Sequence, residues 1–163
     1  MDVVFDIDGT LASAAHRMHY LTDPDKKKDW ENFMSENEVA NDEPIGPVWD
    51  ILDSMLEANH RIIFITGRPE RLRTVTYNWL TESNCIARCL ASSFWERHQT
   101  RGPVLYMRRE GDRRPSEISK RESLNRARMD GFKPKIAFED RVSDTAMWRS
   151  EGLICCQVDE GDF

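Results

Sequence analysis

Apolar runs and amphipathic stretches alternate along this chain. Val3-Val4-Phe5 reads as a first buried strand ending at Asp6. A polar stretch from Ala12 to Asn41 follows, with short helical pieces such as Trp30 to Ser35, and Glu43-Pro44-Ile45-Gly46-Pro47 punctuates the chain. Val48, Ile51, Leu52, Met55 and Leu56 recur at helical spacing and predict a helix from Val48 to Asn59. A second buried strand, Ile62 to Ile65, runs into Thr66-Gly67-Arg68, and Pro69 sits where the next helix, Arg71 to Leu80, would begin. Ile86 to Leu90 reads as a short strand and Val104 to Met107 as a clearer one. Ser116 opens a helix to about Met129, with Ile118 and Leu124 as core positions. Lys135 to Phe138 is a further strand, Thr145 to Ser150 a helix and Leu153 to Val158 a last strand. Such alternation predicts an α/β fold: a mainly parallel sheet with helices on both faces and a small helical insert after strand one.

Acids stand at the ends of these strands. Asp6-Ile7-Asp8-Gly9-Thr10 places two carboxylates at the carboxyl edge of the sheet, where open α/β sheets bind ligands. Side chains alternate along a strand, so Asp6 and Asp8 can share a face while Ile7 points into the core. Two close carboxylates repel unless a cation or shared proton relieves them, and oxygen-liganded Mg²⁺ is the expected relief. Asp6 is then a candidate nucleophile toward phosphorus and Asp8 its proton donor and acceptor. Thr66-Gly67-Arg68 puts a hydroxyl and a glycine at the next strand end, before a helix N-terminus that favours phosphate. Lys120 lies on the helix after a basic segment, and Glu139-Asp140 forms a third acidic strand end. With Asp144 one turn on, these acids make an oxygen shell for Mg²⁺.

Length and charge narrow the setting. With 163 residues, 39% hydrophobic and 32% charged, the chain is expected to be one domain, residues 1–163, with 12–47 as a small insert or lid. No apolar run approaches the roughly 20 residues that cross a bilayer, and the charged start is wrong for a signal peptide. Cys85, Cys89, Cys155 and Cys156 show neither CxxC nor zinc spacing and read as reduced packing residues, so a cytoplasmic location is expected, the host cytoplasm if the chain is phage-encoded. The net charge of −6 conceals an asymmetry: eleven acids against three lysines from Asp23 to Glu57, ten bases against four acids from Arg97 to Arg128. The basic stretch is a candidate anion-attracting rim, while the overall acidity argues against a high-affinity nucleic-acid binder.

Asp6-x-Asp8-Gly9-Thr10, Thr66-Gly67-Arg68, Lys120 and Glu139-Asp140, in that order, resemble the four motifs of the haloacid dehalogenase (HAD) superfamily. The resemblance implies a Rossmann-like fold, Mg²⁺, an aspartyl-phosphate intermediate and phosphatase activity. In that mechanism Asp6, the Asp8 main-chain carbonyl and Asp140 hold the metal, and the longer Glu139 reaches it through a water. Gly111-Asp112-Arg113-Arg114, Glu139-Asp140-Arg141, Met147-Trp148-Arg149 and the closing Gln157-Val158 and Gly161-Asp162-Phe163 are similar to the phosphatase domain of the bacteriophage polynucleotide kinase/3′-phosphatase family. Arg17, Arg68 and Asp112 match functional positions of that family. Gly67, Arg68, Arg17, Asp112 and Arg114 are therefore candidate substrate-binding residues, with Arg113 beside them. The implied activity is removal of 3′-phosphate from nucleic-acid ends or nucleoside 3′-monophosphates. No Gly-x4-Gly-Lys-Ser/Thr loop is present, so no kinase domain is expected in this chain. His16, Arg17, His19 and Tyr20 are candidates for the inner face of a lid, although the two histidines read better as surface residues. The alternatives are a 5′-nucleotidase or small-metabolite phosphatase of the same superfamily, which the net acidity favours, and a catalytically idle binding module, which the intact motif positions disfavour.

Overall fold

The structure is a computed structural model that describes residues 1–82 and 104–161; the strand expected over Ile86 to Leu90, Cys85, Cys89 and Asp162-Phe163 lie outside the described residues. In chain order the strands are β1 (Asp2–Phe5), β2 (Ala12–Ser13), β3 (Glu43–Pro44), β4 (Arg61–Pro69), β5 (Val104–Arg108), β6 (Pro134–Arg141) and β7 (Ile154–Gly161). The helices are α1 (His19–Thr22), α2 (Trp30–Phe33), α3 (Glu36–Ala40), α4 (Gly46–Glu57), α5 (Arg73–Glu82), α6 (Ser116–Met129) and α7 (Val142–Ser150).

Val3, Val4 and Phe5 are all fully buried, so β1 must be covered on both faces. It sits at the centre of a five-stranded parallel sheet in the order β5-β4-β1-β6-β7. Alternation along the strands splits the core in two. Val3, Phe5, Ile62 and Phe64 pack with Trp49, Leu52, Leu56, Trp79 and Leu80 of α4 and α5. Val4, Ile63, Ile65 and Ala137 pack with Leu124, Ala127, Met147 and Trp148 of α6 and α7. The sheet is thus the middle of three layers, as the alternating pattern predicts.

Two details depart from the sequence pattern. In α4 the buried stripe is Val48, Trp49, Leu52 and Leu56, and Ile51 is 40% exposed. Trp49 turns the stripe toward itself by burying its ring and donating its indole N–H to Leu11 O at 2.9 Å. After β4 the chain makes a 3-10 turn, Glu70–Leu72, before α5 begins at Arg73. Pro69 lies at the end of the strand and opens that turn, not the α-helix itself. Of the described cysteines, Cys155 is buried in the second core, whereas Cys156 is exposed and does not pack. Both are free thiols.

The segment after β1 leaves the sheet through β2 and returns through β3, paired antiparallel as Ala12 with Pro44 and Ser13 with Glu43. Between them α1, α2 and α3 gather around a small core of Ala14, Leu21 and Phe33. The chain runs from β1 outward through β4 and β5, then crosses back to β6 and β7. The order reverses between β1 and β6, and such a switch point is where α/β sheets open a crevice at their carboxyl ends. No described helix is long and apolar enough to cross a membrane.

The opposite edge is tied by Asp2. Its carboxylate accepts from Arg61 Nε at 2.6 Å and Nη2 at 2.7 Å, and from the Lys133 backbone N–H at 2.5 Å. Burial works against the Asp2 charge, but these donors hold its pKa below the usual carboxylate range. A lowered folded pKa adds stability that is present above the unfolded value, roughly 3.9, and is lost as pH falls through the folded one. Asp2→Asn should therefore lower unfolding free energy by about 1–3 kcal/mol at pH 7 and by less at pH 3, as urea titrations at the two pH values would measure.

Candidate active site

At the carboxyl edge the sheet brings together more negative charge than it neutralises. Asp6 follows β1, Glu139 and Asp140 end β6, and ligand atoms of all three lie within 4.8 Å of one another, each residue buried. Asp144, on the first turn of α7, is buried beside them. The one lysine in this shell is Lys120 of α6, itself buried, with Nζ 3.0 Å from Asp6 Oδ1, 2.8 Å from Glu139 Oε2 and 2.7 Å from Asp144 Oδ2. Burial opposes the Lys120 charge, yet Asp6, Glu139 and Asp144 outweigh it and raise its pKa well above the ordinary value. The ammonium therefore stays charged. Burial and the Glu139 carboxylate push Asp6 well above the usual range and Asp140 up to about 7. Those shifts are the mark of carboxylates short of a cation.

The four acids are not equivalent. Glu139 is fully engaged: Oε2 accepts from Lys120 and from the Trp148 indole N–H at 2.9 Å, and Oε1 accepts the backbone N–H groups of Asp140 and Arg141. Asp144 Oδ2 accepts from Ser116 Oγ at 2.8 Å, while its Oδ1 is buried without a partner among the described residues. Asp6 Oδ1 is close enough to Lys120 for an ion pair but misaligned for a hydrogen bond. Asp140 is crowded by backbone. A Cβ at Gly9 would fall 2.2 Å from Asp140 Oδ2, and one at Gly161 would fall 1.9 Å from the same oxygen. Gly9 also has φ +84°, a conformation that L side chains rarely adopt. An oxygen-only donor set with open, buried lone pairs and excess negative charge fits a hard divalent cation such as Mg²⁺.

A second network lies beside the first, and it is balanced. The Asp8 carboxylate turns away from the acidic shell, accepting from Arg17 Nη2 at 2.5 Å and Arg68 Nη2 at 2.7 Å. Asp42 closes the ring, accepting from Arg17 Nε and Nη2 at 2.8 Å each and from Arg68 Nη2 at 2.5 Å. Both arginines are 0% exposed. Burial raises the Asp8 pKa, but Arg68 and Arg17 more than offset it and hold the carboxyl far below its usual range. Asp42 is the residue that sequence reasoning missed, since it reads there as one acid in an acidic run. Its neighbour in the ring, Arg17, carries the Phe33 ring at 4.3 Å from its guanidinium carbon.

A cleft of about 740 Å³ opens over both networks, lined by Asp6, Asp8, Gly67, Lys120, Glu139, Asp140 and Asp144 together with Asp112, Arg113 and Arg114. Thr66 is buried next to it, and its hydroxyl accepts the Arg68 backbone N–H at 3.2 Å. Arg17 and Arg68 do not line the cleft; they act on it through Asp8. Arg114 is exposed but occupied, paired with Asp112 at 2.7 Å and Glu122 at 2.8 Å, which holds Asp112 ionised. Arg113 makes no ion pair among the described residues. Arg108 reaches across the cleft floor to Gly67 O at 3.0 Å and Arg114 O at 2.6 Å, fixing the loop between β5 and α6. His16 and His19 are exposed, and neither lines the cleft.

A parallel α/β sheet with an acidic shell at its switch point, an aspartate directly after β1 and a buried lysine from a later helix is the arrangement of a HAD-class domain. The whole chain, residues 1–163, matches the polynucleotide kinase PNKP phosphatase domain, and the chain belongs to that family. Two solved structures of the Pnkp1/Rnl/Hen1 RNA repair complex contain similar chains. One is 25% identical with a TM-score of 0.69, the other 24% identical with a TM-score of 0.68. Each match covers 99% of this chain but only 43% and 46% of the other, so this chain spans less than half the length of those proteins.

Removing the lysine should expose the imbalance. Lys120→Met leaves Asp6, Glu139 and Asp144 without their shared cation, and breaking a buried pair in this way costs about 3–5 kcal/mol. Urea unfolding at neutral pH should show a loss of that size, shrinking in mild acid as the orphaned carboxyls take up protons.

Proposed function

We propose that this chain is a Mg²⁺-dependent phosphomonoesterase working through an aspartyl-phosphate on Asp6, and that its substrate is the 3′-phosphate of a nucleic-acid end or nucleoside 3′-phosphate. The observation that carries the reading is Asp6 itself: a buried carboxylate oxygen at the strand end, beside Lys120 but with no hydrogen bond from the described residues to occupy it, in a residue that lines the cleft. Asp6 and Asp140, with the Asp8 main-chain carbonyl and Glu139 beside them, would hold Mg²⁺. When bound, that ion would offset the charge as phosphate approaches a carboxylate.

In the first step an Asp6 Oδ attacks phosphorus, the bond from phosphorus to the 3′ oxygen breaks, and Asp8 delivers a proton to that oxygen. In the second, water attacks the aspartyl-phosphate, gives its proton to Asp8 and releases phosphate with Asp6 restored. The arginine pair keeps Asp8 in the ionised form that can accept a proton in the second step, while lowering its strength as a base. Donation in the first asks for a protonated Asp8, which the guanidiniums oppose and the negative charge of an approaching phosphate favours. The Thr66 hydroxyl, the Gly67 backbone and Lys120 cradle the transferring phosphoryl. Asp112 and Arg114 shape the loop that places Arg113 at the cleft, where it contacts a neighbouring phosphate. Residues 1–163 form one domain, with 12–47 as its lid. The partner is the phosphorylated 3′ end, and the likeness to chains of an RNA repair complex supports an end-repair setting. Free Cys155 and Cys156 support a reducing, cytoplasmic location.

Asp6→Asn should abolish Mg²⁺-dependent phosphate release from a 3′-phosphorylated oligonucleotide. Arg68→Ala should lower kcat roughly 10²- to 10⁴-fold by releasing Asp8 from its position, the scale of a proton-transfer group in the transition state. Assays against 3′- and 5′-mononucleotides decide the substrate: preference for the 5′ compounds would replace this reading with a nucleotidase, and equal activity of wild type and Asp6→Asn would refute the mechanism.

The crowding at Asp140 yields a separate expectation. A methyl at Gly161 would meet the Asp140 side chain first, closest at its carboxylate, so Gly161→Ala should swing that carboxylate aside. Disturbing what orients a ligand typically costs 10- to 100-fold in metal affinity. Calorimetric titration with Mn²⁺ should show a loss of about that size, and an unchanged affinity would remove Asp140 from the ligand set.

A further inference from the structure

Trp30 has no part in the chemistry above, and its setting differs from that of the other described tryptophans. Trp49, Trp79 and Trp148 are buried, and their indole N–H groups donate to Leu11 O, Asp42 O and Glu139 Oε2. Trp30 is 44% exposed, and among the described residues its N–H makes no hydrogen bond. Exposing a large aromatic ring forgoes the burial that normally holds one inside.

This ring is not loose on the surface. It stands edge-on to Phe33, with centroids 5.7 Å apart and planes at 85°. Phe33 is fully buried and lies against the Arg17 guanidinium at 4.3 Å, and Arg17 reaches Asp8 at 2.5 Å. A packed stack therefore links the exposed indole to the carboxylate beside the proposed nucleophile. The helix that carries Trp30 is pinned at its start, where the Asp29 side chain accepts the Asn32 backbone N–H at 3.0 Å. Trp30, Glu31 and Met34 line the same cleft of about 740 Å³ as Asp6, Asp8 and Arg113.

The lining of that cleft divides by chemistry. The insert contributes two aromatic rings, a thioether and Glu31 but no cation, whereas the segment from Arg108 to Arg114 brings three arginines beside Glu110 and Asp112. Phosphates belong with the arginines, and Glu31 disfavours them near Trp30. A flat, uncharged π-system suits the indole, and every nucleobase has one. We infer that Trp30 is the stacking platform for the nucleobase of the terminal nucleotide, so that the ligand recognised is a base-bearing nucleoside 3′-phosphate of any sequence. The inference rests on the 3′-phosphatase reading and adds to it a requirement for the base.

Steady-state kinetics would compare two oligonucleotides that differ only in the 3′-phosphorylated terminal residue, one carrying a base and the other abasic. Stacking of one base is worth roughly a 5- to 150-fold change on aromatic removal. Trp30→Ala should raise KM for the base-bearing end by a factor in that range with kcat little changed. It should leave the abasic end unaffected, and Trp30→Phe should restore most of the loss. The four bases should differ only a few-fold in the wild type. If Trp30→Ala matches the wild type on the base-bearing end, or weakens both ends equally, the stacking assignment is wrong while the phosphatase reading stands. If the wild type releases phosphate from neither end, the phosphatase reading fails and the stacking role fails with it.

Discussion

Four carboxylates crowd one ammonium at the buried end of the sheet, and everything else about this edge follows from that deficit. Asp6, Glu139, Asp140 and Asp144 are all out of solvent, where like charges repel strongly and desolvation penalises each of them. Lys120 relieves three of them at distances of 2.7–3.0 Å. The rest of the strain appears as raised pKa values on Asp6 and Asp140. A fold under selection for stability alone would remove such acids, because apolar replacements at buried ionic sites are often neutral or stabilising. Their presence is the physical argument for a ligand that brings positive charge.

The neighbouring ring of Arg17, Asp42, Arg68 and Asp8 supplies the contrast. Two guanidiniums face two carboxylates, every contact is short, and no charge is left over. That ring holds Asp8 in place and ionised and joins three parts of the chain: the turn after β1, the insert and the end of β4. Topology makes both networks possible. The switch between β1 and β6 brings Asp6 against Glu139 and Asp140, and glycines at positions 9 and 161 let backbone approach the Asp140 carboxylate on two sides. The insert closes on itself through a two-stranded ladder, which places Arg17 and Asp42 over Asp8 and leaves Trp30 at the mouth of the cleft.

Much of this was legible in the chain. Short apolar runs rich in β-branched residues, such as Val3-Val4-Phe5 and Ile62 to Ile65, read as strands covered on both faces, and acids or a threonine directly after them mark the carboxyl edge. Local patterning also located α6, because Ser116 and Met129 bound it. What sequence could not show was which partner each charge would choose. Arg17 and Arg68 were expected to bind substrate, yet both are spent on Asp8 and Asp42, a choice made by burial and by contacts between residues 9 to 60 apart in the chain. Asp42 had no local signal at all. Ile51 obeyed helical spacing and still faces outward, since the larger Trp49 rotated the buried stripe of α4. Arg114 looked available for phosphate, but Asp112 and Glu122 occupy it, whereas Arg113 beside it makes no ion pair among the described residues.

The acidic edge has a function only if it collects a cation and a phosphoryl group together. The most direct measurement is a crystal structure of the protein with magnesium and beryllium trifluoride, a mimic of the phosphoryl group on a carboxylate. The expected result is density joining beryllium to one Asp6 oxygen, with a hexacoordinate ion between Asp6 and Asp140 and Lys120 turned toward the fluorides. Density that leaves Asp6 bare at saturating concentrations of both, with the four acids still gathered around Lys120 alone, would contradict it.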